Sequence, residues 1–197
     1  MLDRENAACA LWSLAGNSAS NKVAIADAGA IPPLVALLRD GSDAAKEHAA
    51  TALRNLAGGS ADNKATIVGA GALAPLVALV RDGSPVGKEK AAVALHNLSS
   101  TNASKVEIAQ AGGIAPLVKL VTEGTPAGKE NAAGALWSLS ANDDNEVAIV
   151  QAGAIPPLVK LARKGTAGGR KKAAKALKNL SFAPGHKEAI AEAGYKL

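Results

Sequence analysis

The sequence predicts an all-α solenoid built from three-helix repeats, and three observations lead there. First, Ala28-Gly-Ala-Ile-Pro-Pro-Leu-Val35 returns as Ala70-Gly-Ala-Leu-Ala-Pro-Leu-Val77, Ala111-Gly-Gly-Ile-Ala-Pro-Leu-Val118 and Ala152-Gly-Ala-Ile-Pro-Pro-Leu-Val159. Second, Gly29, Gly71, Gly112, Gly153 and Gly194 stand 42, 41, 41 and 41 residues apart, a period that marks a stacked repeat array. Third, 48% of the residues are hydrophobic but only 2% are aromatic, so the core is made of Ala, Leu, Val and Ile, which suits closely packed helices. Such arrays usually work through an extended surface and not through one catalytic pocket.

One repeat, residues 21–62, shows why each element forms. Residues 21–28 are a short apolar-rich segment, a helix of about two turns closed by Gly29 as a left-handed cap. Pro32 and Pro33 open a second helix, because the first turn does not need the missing N–H. Leu34, Val35, Leu37 and Leu38 carry that helix to Gly41. The third helix covers residues 43–57 and stops at Gly58-Gly59. Three helices per repeat separate this array from two-helix repeats of about 34 residues.

On the third helix, Ala49, Ala52, Leu53 and Leu56 follow the i, i+3, i+4, i+7 spacing of one face. The identities return as Ala91, Ala94, Leu95, Leu98, then Ala132, Ala135, Leu136, Leu139, then Ala173, Ala176, Leu177, Leu180. The opposite face varies: Thr51, Val93, Gly134 and Lys175 at one level, and Arg54, His96, Trp137 and Lys178 at the next. The constant face is expected to stack. The varied face is either a surface for a partner or simply solvated.

These residues resemble the armadillo repeat family, with beta-catenin-like and plant-type repeats nearest in style. The signature is asparagine, an isoleucine shortly after, Ala-Gly-Ala-Ile-Pro-Pro-Leu-Val, and then Ala-Ala-x-Ala-Leu-x-Asn-Leu on the third helix. The resemblance implies a right-handed superhelix forming one domain over residues 1–197. Its frame holds a third helix alone in residues 1–20 (helix 4–15), and full repeats at 21–62, 63–103, 104–144 and 145–185. A first helix alone, within 186–197 (helix 186–193), follows.

In the family, as in beta-catenin and importin-alpha, third helices line a concave groove that holds an extended peptide, and an asparagine on each pairs with the peptide backbone. The matching positions are Asn55, Asn97 and Asn179, interrupted by Ser13 and Ser138. A carboxamide offers both donor and acceptor, so it can satisfy one backbone N–H and one C=O together. Local bonding near a helix C-terminus is the other reading of each asparagine. Helices about 8–10 Å apart and a strand rise of about 3.3 Å give roughly two to three ligand residues per repeat. The importin-alpha subtype also needs a tryptophan four residues before each asparagine. Those positions are Cys9, Thr51, Val93, Gly134 and Lys175, so import-signal binding of that subtype is not expected.

Trp12 and Trp137 fall at the groove edge, where they either anchor an apolar ligand side chain or pack against the neighbouring repeat. Glu5, Glu47, Glu89 and Glu130 align on successive third helices; they either select a basic peptide or favour helix N-termini through the macrodipole.

Net charge is +5 and unevenly placed, with eight basic residues and no acidic one from Lys160 to Lys178. That stretch has no interleaved aromatics for base stacking, so nucleic acid is not an expected partner. It reads first as a solubilising outer face for the end of the array, and second as an anion site. No apolar run reaches the roughly 18 residues of a bilayer span, the N-terminal residues lack a secretory pattern, and no membrane partner is expected. One cysteine, Cys9, fits a reducing compartment, intracellular (cytoplasmic or nuclear) if the protein is natural. His48, His96 and His186 stand far apart without metal-ligand spacing, and no phosphate-binding glycine motif occurs. No catalytic residue, metal or cofactor is therefore expected.

The functional expectation is a non-enzymatic interaction scaffold that binds an extended peptide or protein segment. The alternative is an engineered or consensus array with no evolved ligand, because residues 104–144 and 145–185 agree at 20 of 41 positions. A dominant monomer with weak head-to-tail association is expected.

Overall fold

The computed structural model describes residues 2–16 and 18–196. Among these residues there are fourteen α-helices and no strand. The chain divides into two compact units, Met1–Leu98 and Ser99–Leu197. The first unit holds α1 (Leu2–Ala15), α2 (Ala19–Asp27), α3 (Ile31–Asp40), α4 (Asp43–Ala57), α5 (Ala61–Gly69), α6 (Leu73–Asp82) and α7 (Pro85–Leu98). The second holds α8 (Asn102–Gln110), α9 (Ile114–Glu123), α10 (Pro126–Leu139), α11 (Asp143–Gln151), α12 (Ile155–Lys164), α13 (Ala167–Leu180) and α14 (His186–Glu192).

First helices begin slightly earlier than the apolar pattern indicates, because their caps lie upstream of the asparagine. The Ser18 hydroxyl accepts the Asn21 N–H at 3.2 Å, and Ser60, Thr101 and Asn142 accept from Asn63, Ser104 and Asn145 in the same way. At the other end of α2, Gly29 takes φ of 76° and Ala30 N–H returns to the Ile25 carbonyl at 3.3 Å, a left-handed termination. That turn bends α2 from α3 by 81°. No single helix among the described residues is long and apolar enough to cross a membrane.

Gly41, between the second and third helices, is needed for a different reason. Its φ of −76° suits any residue, but a Cβ there would lie 2.5 Å from the Leu37 carbonyl oxygen and 2.9 Å from Ala45 Cβ. The helix junction closes too tightly for a side chain.

In the first unit α4 packs between α1 and α7, with α3 against α4 and α6 against α7. In the second, α10 packs on α13, α9 on α10 and α12 on α13, while α14 lies against α12 and α13. The expected constant face is the core: Ala49, Ala52, Leu53 and Leu56 are fully buried, as are their counterparts on α13. Burying each such leucine contributes about 1.5–3 kcal/mol. Ala50 is also buried, because α4 has a third helix on each flank. On α1 the constant face lacks cover. Ala7, Ala10 and Leu14 are exposed, and Leu11 is half-buried.

Candidate functional site

The third helices carry the side chains of interest: α1, α4 and α7 in the first unit, α10 and α13 in the second. Their asparagines make a bond that the sequence did not resolve. Asn55 Nδ2 donates to the Trp12 carbonyl at 3.2 Å, and Asn97 Nδ2 donates to the Arg54 carbonyl at 3.5 Å. Each therefore reaches the preceding third helix, not its own. Asn179 Nδ2 donates twice, to the Trp137 carbonyl at 3.3 Å and to Ser140 Oγ at 3.2 Å. A carboxamide nitrogen has two hydrogens, so Asn55 and Asn97 each keep one N–H, whereas Asn179 keeps only its oxygen. The expected pairing of both groups with a ligand backbone is corrected at Asn179.

Glu5, Glu47 and Glu130 also span between third helices. Glu5 Oε2 accepts from Ser42 Oγ at 2.9 Å, Glu47 accepts from Ser84 Oγ, and Glu130 Oε2 accepts from Thr166 Oγ1 at 2.7 Å. Each of those hydroxyls is the N-cap of the next third helix and also accepts a backbone N–H, from Ala45, Gly87 and Gly169. Glu130 further takes Lys172 Nζ at 3.1 Å. The Thr166 bond first, and then Lys172, hold its carboxyl below the ordinary range against the opposing effect of partial burial. Each carboxylate thus sits at the N-terminus of the next third helix, in keeping with the helix-N-terminus reading, and spends part of its bonding capacity on the fold. Glu89 is half-buried on α7 at the same register.

The tryptophans pack against the neighbouring repeat. Trp12, 37% exposed, stacks on His48 with centroids 6.0 Å apart and planes 10° apart. The Lys175 ammonium lies 4.0 Å above the half-buried Trp137 ring, a cation–π contact. Thr51 is corrected: it is 4% exposed, and its hydroxyl is returned to the Glu47 carbonyl at 2.8 Å, so it lines no open surface. Arg54 and Val93 are half-buried, as are His96 and Ser138.

Two further contacts escaped sequence reasoning. Asn63 Nδ2 closes the end of α4 by donating to the Leu56 carbonyl at 3.0 Å. Glu146, only 7% exposed, accepts from the Ala183 N–H at 3.1 Å and lies 3.3 Å from His186 Nδ1. The first had a signal, an asparagine seven residues after a leucine at both Leu14–Asn21 and Leu56–Asn63, where the carboxamide donates to the leucine carbonyl each time; the second occurs once and had none. Among the described residues no three His, Cys, Asp or Glu side chains gather to hold a metal.

The recurrent frame matches a known family. The model for the armadillo/beta-catenin-like repeat fits residues 18–58, 60–100, 101–141 and 142–182. The chain belongs to the armadillo repeat family. The matched spans start at the first-helix caps Ser18, Ser60, Thr101 and Asn142. Among solved structures, computationally designed armadillo repeat proteins for modular peptide recognition are 31% identical, with a TM-score of 0.88 over 96% of this chain and 81% of that one. A designed armadillo repeat protein in complex with the peptide (KR)4 is 30% identical, with a TM-score of 0.85 over 96% of this chain and 80% of that one. An engineered protein reaches 36% identity and a TM-score of 0.88 over 96% and 78% of the two chains. No curated protein matches this armadillo chain.

Proposed function

We propose that this armadillo chain is a non-enzymatic scaffold whose third helices hold an extended peptide in a concave groove. One observation carries the reading: Asn55 and Asn97 each spend a single N–H on the preceding helix and keep an N–H and a carbonyl oxygen for a ligand backbone. Arg54, Val93 and His96 lie half-buried beside them, where they add side-chain contacts. The designed relative bound to a peptide supports the same use of the fold.

The deciding experiment selects binders from a random library of extended peptides and measures them by fluorescence anisotropy. Asn55→Ala with Asn97→Ala should weaken a selected peptide about tenfold, the worth of roughly one net hydrogen bond. Undiminished binding by that double variant refutes the asparagine assignment.

A second reading, an engineered or consensus scaffold without an evolved ligand, is favoured by the 20 of 41 identities between residues 104–144 and 145–185. Its solved neighbours include engineered proteins. The proposal places a natural protein inside the cell. It also assigns weak head-to-tail association, with a dominant monomer, to the uncovered face of α1. Leu14 there is 55% exposed, and Ala7 and Leu11 of the same helix line a groove of about 640 Å³ with Leu34.

A further inference from the structure

The groove between α9 and α12 lies on the second helices of the Ser99–Leu197 unit, away from the asparagines. It encloses about 580 Å³, within the size range of small-ligand pockets. Val121 and Leu161, both buried, line it together with the rings of Pro126, Pro156 and Pro157. Lys129 from α10 joins Lys160 and Lys164 from α12 in the same lining, and none of the three forms an ion pair with a described residue. Proline nitrogens carry no N–H, and the Thr122 hydroxyl, the Thr166 hydroxyl and the Gly165 N–H already donate to Val118, Glu130 and Leu161, so the ammonium groups are the cations and open donors identified in this lining. Lys160 and Lys164 stand four residues apart on one helix face, where like charges repel. A bound anion replaces that repulsion with attraction.

The other unit contains the matched comparison. At the corresponding register, the groove between α3 and α6 encloses about 390 Å³ and is lined by Arg39 and Lys46 together with Asp43 and Asp82. Two cations there meet two carboxylates. In the second unit the Asp43 position is Pro126, the Asp82 position is Lys164 and the Ala78 position is Lys160, while Lys46 is retained as Lys129. Both carboxylates have left this groove, Arg39 has become Thr122 and two ammonium groups have entered, so three cations stand there with no acid in the lining. Glu130 is already bonded to Thr166 and Lys172, and Glu123 lies 3.9 Å from Lys119. A merely solubilising surface requires neither the larger cavity nor its apolar lining.

We propose that this groove binds a small amphiphilic anion, a carboxylate or sulfonate carried on a ring system or a short alkyl chain. The apolar lining takes the body, and Lys129, Lys160 and Lys164 take the charge. This site goes beyond the peptide surface and does not depend on it.

The test titrates the intact chain with anilinonaphthalene sulfonate and with its uncharged counterpart, N-phenyl naphthylamine. The sulfonate should saturate one site, bind at least about fivefold more tightly than the uncharged dye, and weaken with added salt. Lys160→Gln with Lys164→Gln should weaken it about fivefold or more, while Arg39→Gln with Lys46→Gln leaves it unchanged. All four side chains sit on helix surfaces, and circular dichroism should show both variants folded. Decanoate should displace the dye where an equal concentration of inorganic sulfate does not. Equal affinity for the uncharged dye, unchanged binding by the lysine variant, or equal displacement by sulfate overturns the proposal.

Discussion

Thr166 Oγ1 donates to Glu130 Oε2 at 2.7 Å while it receives the Gly169 N–H at 2.9 Å, so one hydroxyl caps α13 and ties it to α10. A Cβ on Gly168 would lie 2.2 Å from Glu130 Oε1, which shows how closely the carboxylate is seated on the helix start. Thr166→Val keeps the shape but loses both bonds. It should cost about 1–2 kcal/mol in urea unfolding, the usual worth of an N-cap. A cost within error would mean that water replaces the hydroxyl.

Glu130 also sets a pH dependence. Its folded pKa lies below the ordinary 4.5, so ionised Glu130 stabilises the fold above that value. The contribution is lost as pH falls below 4.5 and through the folded pKa. The stability gap between wild type and Glu130→Gln should therefore be widest near neutral pH and shrink below about pH 4. A gap that is constant from neutral to acid pH would assign the effect to packing.

Leu95 is fully buried on α7. Leu95→Ala should cost about 2–5 kcal/mol, from lost transfer energy and the cavity left behind. A neutral result would reverse the two faces of the third helix.

Gly124 closes the junction between α9 and α10 with ordinary dihedrals, yet a Cβ there would sit 2.5 Å from the Leu120 carbonyl oxygen. Gly124→Ala should destabilise the protein by about 1–3 kcal/mol through overpacking. Stabilisation, the outcome if only chain entropy mattered, would contradict the close approach.

Asn179 and Asn97 should behave differently in stability. Asn179→Ala removes two inter-helix bonds and should cost about 1–2 kcal/mol, whereas Asn97→Ala removes one long bond of 3.5 Å and should cost less than about 0.5 kcal/mol. Thermal unfolding of the two single variants measures the contrast, and equal costs would remove the distinction between brace and binding residue.

Sedimentation at rising concentration addresses the uncovered face of α1. Weak association should appear at high concentration and diminish in Leu14→Glu, because Leu14 is 55% exposed. Monomer behaviour into the millimolar range, about a thousandfold above common assay concentrations, would show that face to be inert.

The helices, their order and the buried face of α4 and its counterparts were legible in the sequence, because helical period and glycine punctuation are local properties repeated along the chain; α1, exposed at Ala7, Ala10 and Leu14, departs from that pattern. Ala49, Ala52, Leu53 and Leu56 lie on one side of α4 whatever surrounds it, and Gly29 stops α2 by its own backbone freedom. Even the glutamate brace left a trace: Glu47 and Ser84, like Glu5 and Ser42, recur 37 residues apart. What those residues do was decided only when the helices stacked. Period shows which way a side chain leaves its own helix, but not the distance to an atom on the next one. Glu130 could select a ligand or brace Thr166, Asn179 could meet a peptide or Trp137, and the spacing is the same for both. Lys129 likewise joins Lys160 and Lys164 only because stacking brings α10 and α12 to the same groove.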